Sequence, residues 1–130
     1  MATPKVEILN VFHTKFQSIT PLPHGLEDQF LLNAIGDFEL DLYKIQYNKN
    51  LEEFEENLSQ PEINLLGLLM YRSYLGRERD RILKLNNIVG KDIKLTSMSD
   101  SKRTMSDAMD KLNDDIKIAI NKLKDNSFYD

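Results

Sequence analysis

The most constraining stretch of this 130-residue chain is its middle, residues 59–87, SQPEINLLGLLMYRSYLGRERDRILKLNN. Ser59 is a good helix cap, and Pro61 suits a first turn, where its missing N–H costs nothing. Glu62, three residues after Ser59, completes a capping box. From Ile63 the apolar residues fall on nearly every side of a helix: Leu65, Leu66, Leu68, Leu69, Met70, Tyr71, Tyr74 and Leu75. A helix that is apolar all round must be covered all round, so other elements are expected to pack around this one. The run is thirteen residues long and contains Asn64 and Arg72, too short and too polar to span a bilayer. After Gly76 the sequence turns to RERDRILK, ionic except for Ile82 and Leu83. One continuous helix over 61–87 would be roughly 40 Å long, its front half in the core and its rear half reaching water or a partner.

The remaining segments supply the cover. Thr3 ahead of Pro4 predicts a capped first helix over about 4–17, with Leu9, Phe12 and Phe16 on one face. Residues 6–12 also read as a strand. Residues 18–25, SITPLPHG, form a loop, because two prolines and a glycine stop any regular element. A second helix is expected over 26–47, where Phe30, Ala34, Phe38, Leu42 and Ile45 recur at steps of three and four and Leu31 and Ile35 widen the stripe. Residues 48–50, NKN, break that pattern, and residues 51–58 read as a short acidic helix with Leu51, Phe54 and Leu58 inward.

Beyond Asn87 the periodicity changes. Residues 88–96, IVGKDIKLT, alternate about Ile93 and Leu95 and predict a short extended arm, followed by SMSDSK as a link. A last helix spans about 102–125. Its Met105, Met109, Leu112, Ile116, Ala119 and Leu123 are spaced 4-3-4-3-4, the seam of a packed helix pair. Ile118 points away from that seam, and Phe128 and Tyr129 lie in a tail without a helix to bury them. The fold class is therefore all-α: four main helices plus a short one, with an extended arm before the last. The length suits a single domain, divided into an N-terminal helix and loop (1–25), core helices (26–87), arm and link (88–101) and C-terminal helix and tail (102–130).

Several chemistries are closed to this sequence. It has no cysteine, which excludes disulfides, thiolate zinc sites and a cysteine nucleophile. Its five glycines are scattered and build no phosphate loop, and neither a zinc-protease nor a Gly-x-Ser-x-Gly signature is present. His13 and His24 have no paired ligand at metal spacing. Asp37 and Asp41 lie one turn apart and could hold a divalent cation, although two carboxylates without a third ligand more commonly make a wet face. No catalytic, metal or cofactor-binding residue is expected, and the protein reads as no enzyme. Gly67 and Gly76 inside the central helix mark either a close approach of another helix or a hinge. The first residues hold no apolar run of signal-peptide type, so synthesis in the cytoplasm is expected.

Charge is unevenly spread. Residues 26–62 carry ten acids against two lysines, whereas 72–94 carry seven bases against three acids. Such blocks can pair within one chain or between copies, or simply remain solvated. Arg72, Arg77, Arg79 and Arg81 could line phosphates with Tyr74 stacking on a base, but Glu78 and Asp80 are interleaved among them and the chain is acidic overall.

The order of elements, with LEDQFLLNAIGDFELDLYKI at 26–45, EINLLGLLMYRSYL at 62–75 and the arm and helix after them, resembles the head–tail connector (adaptor) proteins of tailed bacteriophages. The likeness covers about residues 26–125 and is one of layout, since the family has no diagnostic short motif. It implies a ring of about a dozen copies beneath the portal, extending the DNA channel toward the tail, with closure by a heterologous interface. It also implies a virion location in the neck, assembly from protein made in the host cytoplasm, no membrane, and DNA that passes without specific binding. The C-terminal helix would dock on the portal protein, through Ile118, Leu123, Phe128 and Tyr129, and the opposite end would receive a tail-completion or stopper protein. The contact between copies would set Glu52, Glu53, Glu55 and Glu56 against Arg77, Arg79 and Arg81. Residues 1–25, with the first helix, are left unassigned by this likeness. The other readings left open are a small helical regulator that binds one partner through its final helix, and a nucleic-acid binder.

Overall fold

Ser59 and Glu62 start the central helix as the sequence predicts. In the computed structural model Ser59 N donates to Glu62 Oε1 at 2.8 Å, and Glu62 N donates back to Ser59 Oγ at 3.4 Å. The structure describes residues 3–15, 25–89 and 96–129, with side chains described over 3–15, 25–81 and 103–124. The loop expected at 18–25 lies outside the described residues except for Gly25, as do Phe16 and His24.

Among the described residues there are four helices: α1 (Lys5–Thr14), α2 (Leu26–Asp41), α3 (Gln60–Val89) and α4 (Thr96–Tyr129). The 30 residues of α3 make a rod roughly 45 Å long, and α1, α2 and α4 all pack against it. Its front half supplies much of the core, with Ile63, Leu65, Leu66, Leu69, Met70 and Leu75 buried, but it is not covered all round as expected: Asn64 is exposed, and Leu68, Tyr71 and Tyr74 are only partly buried. Gly67 is where α1 crosses: a Cβ built there would lie 2.8 Å from Val11 Cβ and would also collide with Val11 Cγ1. Close approach, not a hinge, is thus the role of this glycine. The Phe12 ring then meets Phe30 of α2 at 6.2 Å and Tyr74 of α3 at 6.5 Å, both edge-on, so three helices converge on one side chain.

α4 runs back along α3. Six residues separate Val89 from Thr96, a span of at most about 25 Å, little more than half the length of α3. An antiparallel pair is the only arrangement that this connection permits, and the contact of Arg72 with Asn113 fits it. The predicted seam forms: Met109, Leu112, Ile116 and Leu123 are buried, and Met105 and Ala119 are partly so.

Several expectations are corrected. α1 is helical from Lys5 to Thr14, which disposes of the strand alternative and is shorter than 4–17. Thr3 does not cap it; Thr3–Pro4 is strand β1, and Pro4 takes the cap position without a side-chain bond. α2 stops at Asp41, six residues early, where Leu42 leaves helical geometry at φ −124° and ψ −96°. The Glu39 carboxylate accepts the N–H of Ile45 at 3.4 Å, an alternative to the helical bond that residue would otherwise need. Ile45 is buried nonetheless.

The short acidic helix expected at 51–58 does not form. Strands β2 (Tyr47–Asn48) and β3 (Glu53–Phe54) pair antiparallel instead, and β1 pairs along the other side of β3 to give the order β1-β3-β2. Two local causes are visible. Asn48 Oδ1 accepts the N–H groups of Asn50 and Leu51 at 3.0 and 3.1 Å, an Asx turn that competes with helix. A helix would also set Glu52, Glu55 and Glu56 at repelling three- and four-residue spacings. Phe54 and Leu58 point inward as predicted, but Leu51 is at the turn and 66% exposed.

The extended arm and link are likewise corrected where described. Ile88 and Val89 belong to α3, and α4 begins at Thr96, so residues 97–102 are helical; residues 90–95, with Ile93, lie outside the described residues. Met98, Met105 and Leu112 are spaced by sevens, which continues the α4 heptad toward its N-terminus and outweighs the serines of the link. The tail is helical to Tyr129.

Candidate functional site

The surface candidates are three: the rear of α3, the acidic strand segment, and α4. On the rear of α3 the arginines are held by acids of their own helix. Arg81 donates from Nε and Nη2 to Glu78 Oε2 at 3.1 and 2.6 Å, Arg77 Nη1 lies 3.7 Å from Glu78 Oε1, and Arg79 lies 4.0 Å from Asp80. Arg72, one turn before Gly76, is an interhelical clasp: it donates to Asp37 of α2 at 3.1 Å and reaches Asn113 of α4 at 3.5 Å. Asp37 is therefore occupied by a guanidinium and does not join Asp41 on a cation. Among the described residues no group of three or more histidine, aspartate or glutamate side chains could hold a metal ion. Tyr71 and Tyr74 stack at 5.9 Å beside this ladder, and burial raises both phenols above their usual range.

The acidic segment is also engaged within the chain. Both carboxylate oxygens of Glu56 accept the N–H of Gln46 at 3.0 Å, and Glu52, with φ +54°, takes Lys5 at 3.4 Å. Glu53 is in β3, and the N–H of Glu55 donates to Gln46 O at 2.9 Å. Lys5 Nζ also donates to Asp28 at 2.8 Å, and that bond is the main reason its pKa is raised. Lys5, Asp28, Leu32, Tyr47, Lys49 and Glu52 line a cleft of about 140 Å³, below the few hundred Å³ of ordinary small-molecule sites. His13 pairs with Glu27 at 2.8 Å.

Two connections have little signature in sequence. Thr3 is only 2% exposed; its hydroxyl donates to Glu56 O at 3.0 Å and accepts from Leu58 N at 2.8 Å. Tyr43 donates to Glu62 Oε2 at 2.6 Å, tying the exit from α2 to the cap of α3, and desolvation followed by that bond raises its phenol well above the usual range. Neither bond follows from hydrophobic periodicity, because each joins residues far apart or outside regular elements.

On α4, Ile118 stands 54% exposed, as expected of a residue turned away from the seam. Leu123 is buried in that seam at 5%, so as placed it offers no docking surface. Phe128 and Tyr129 sit on the last turn of the helix, with side chains outside the described ones. No helix among the described residues is long and apolar enough to cross a membrane. No protein-family model, curated protein or solved structure matches the chain.

Proposed function

We propose that this protein is a structural assembly component of the head–tail connector kind, a ring-forming adaptor between a phage portal and its tail. The observation that supports this reading most is the shape of α3. Its front half is covered by three helices, while its rear carries Arg77, Arg79 and Arg81 with side chains 47, 53 and 63% exposed. A protomer whose long central helix keeps an ionic face exposed beside α4 has a surface suited to neighbouring copies and to a portal. DNA would pass the assembled channel without specific contact, since the arginines of α3 are already matched to carboxylates.

The test is co-purification with a candidate phage portal protein as bait, followed by electron microscopy. Rings of about a dozen copies seated on the portal are expected. Arg77→Glu with Arg81→Glu should reduce ring formation, read by light scattering, and leave the helical circular dichroism in place. Absence of both rings and portal retention from the unaltered protein would defeat the reading.

A further inference from the structure

α4 carries a second stripe besides its buried seam. Lys111, Asp114, Ile118 and Asn121 recur at steps of 3-4-3, with Asp115 and Lys122 beside them, and all six are exposed. Ile118 is two residues beyond buried Ile116, roughly 200° further round the helix, so this stripe faces away from α3. The charges here differ from those on α3. Each arginine from Arg72 to Arg81 has a carboxylate partner in the chain, whereas among the described residues Lys111, Asp114 and Lys122 have no ion-pair or hydrogen-bond partner.

The arrangement is self-complementary when reversed. Asp114 and Lys122 stand four residues to either side of Ile118. Two copies of α4 laid antiparallel and centred on Ile118 bring Asp114 of each copy opposite Lys122 of the other, twice by symmetry. The same register sets Asp115 opposite Asn121 and one Ile118 upon the other. An isologous contact demands this property, that residue i meets j while j meets i. A parallel arrangement would set Asp114 on Asp114 and Lys122 on Lys122 instead, which is repulsive.

We infer that the outer face of α4 binds a second copy of this chain, antiparallel and centred on Ile118. The pairing stands apart from the connector reading. Where both hold, the pair opens before Ile118 meets a portal.

Two measurements on the full chain test it. The sequence has no cysteine, so Ile118→Cys introduces a lone thiol on the two-fold axis. Under mild oxidation it should form a disulfide-linked dimer much faster than Leu40→Cys, a thiol placed at a more exposed position on α2. Sedimentation equilibrium supplies the second measurement. Asp114→Lys and Lys122→Asp should each weaken self-association about tenfold, because each turns two opposite-charge contacts into like-charge ones at once. Combining the two should restore it. The inference is overturned by a chain that stays monomeric up to about 1 mM. It is equally overturned by a dimer indifferent to both single changes, by a double variant no tighter than the singles, or by equal cross-linking at positions 118 and 40.

Discussion

The front half of α3 and the strand segment at residues 43–58 are neighbours held by different forces. Ile63 to Leu75 are stabilised by apolar burial against three helices, with backbone bonds that the helix satisfies by itself. Residues 43–58 bury Ile45, Phe54 and Leu58, but much of their backbone is pinned one group at a time by side chains, some within the segment and some from outside it. Glu39 takes the N–H of Ile45, Glu56 that of Gln46, Asn48 those of Asn50 and Leu51, and Thr3 that of Leu58. Apolar burial is redundant, since many contacts share the load. A set of single polar bonds is not, and each member is a separate point of failure.

That contrast can be broken most forcefully in the core. Leu66→Ala is expected to cost about 3–4 kcal/mol of global stability, read from denaturant midpoints, because the residue is fully buried in the core. A loss below about 1 kcal/mol would mean that the core repacks freely and is not the framework of the molecule. Thr3→Val should have a smaller and more local effect. It leaves the buried N–H of Leu58 without an acceptor, at a cost of about 1–3 kcal/mol. Amide exchange should accelerate over 43–58 while α3 stays protected, and Thr3→Ser should largely preserve the wild-type pattern. Equal loss of protection in α3 would show that the two regions unfold as one.

The smallest effect is the most specific. The phenol of Tyr43 is raised in the folded state, chiefly by desolvation and then by Glu62, so the fold favours its neutral form. Its contribution is complete below the unfolded phenol value of about 10 and declines as pH rises beyond it. Tyr43→Phe should therefore flatten part of the alkaline fall in urea midpoint. Tyr47, Tyr71 and Tyr74, also raised, contribute with the same sign and leave the remainder. An unchanged alkaline slope would remove the Tyr43–Glu62 bond from the account.

The same division decides what could be read from the sequence. The central helix, its capping box and the seam of α4 were all legible, because each follows from periodicity or from a three-residue spacing. The acidic segment reads as a helix in sequence but forms a strand pair; Phe54 and Leu58 face inward either way, since spacing of that kind serves a strand pair equally well. What decided between them was the Asn48 turn and the reach of Thr3 across more than fifty residues, a pairing that no local pattern announces. For the candidate site, the exposure of Ile118 was legible from its phase relative to the seam, while the burial of Leu123 follows from its place within it. The local pairing of Arg81 with Glu78 was visible as helical spacing, but the capture of Arg72 by Asp37 required the packing of two helices.

The crossing of α1 over α3 imposes a rule on variation. Positions 11 and 67 occupy, between them, room for a single branched side chain, and valine at one is compatible only with the absence of a side chain at the other. Natural descendants of this chain that enlarge position 67 should be found with a smaller residue at 11. The two sites, fifty-six places apart in the sequence, would then change together as though they were one.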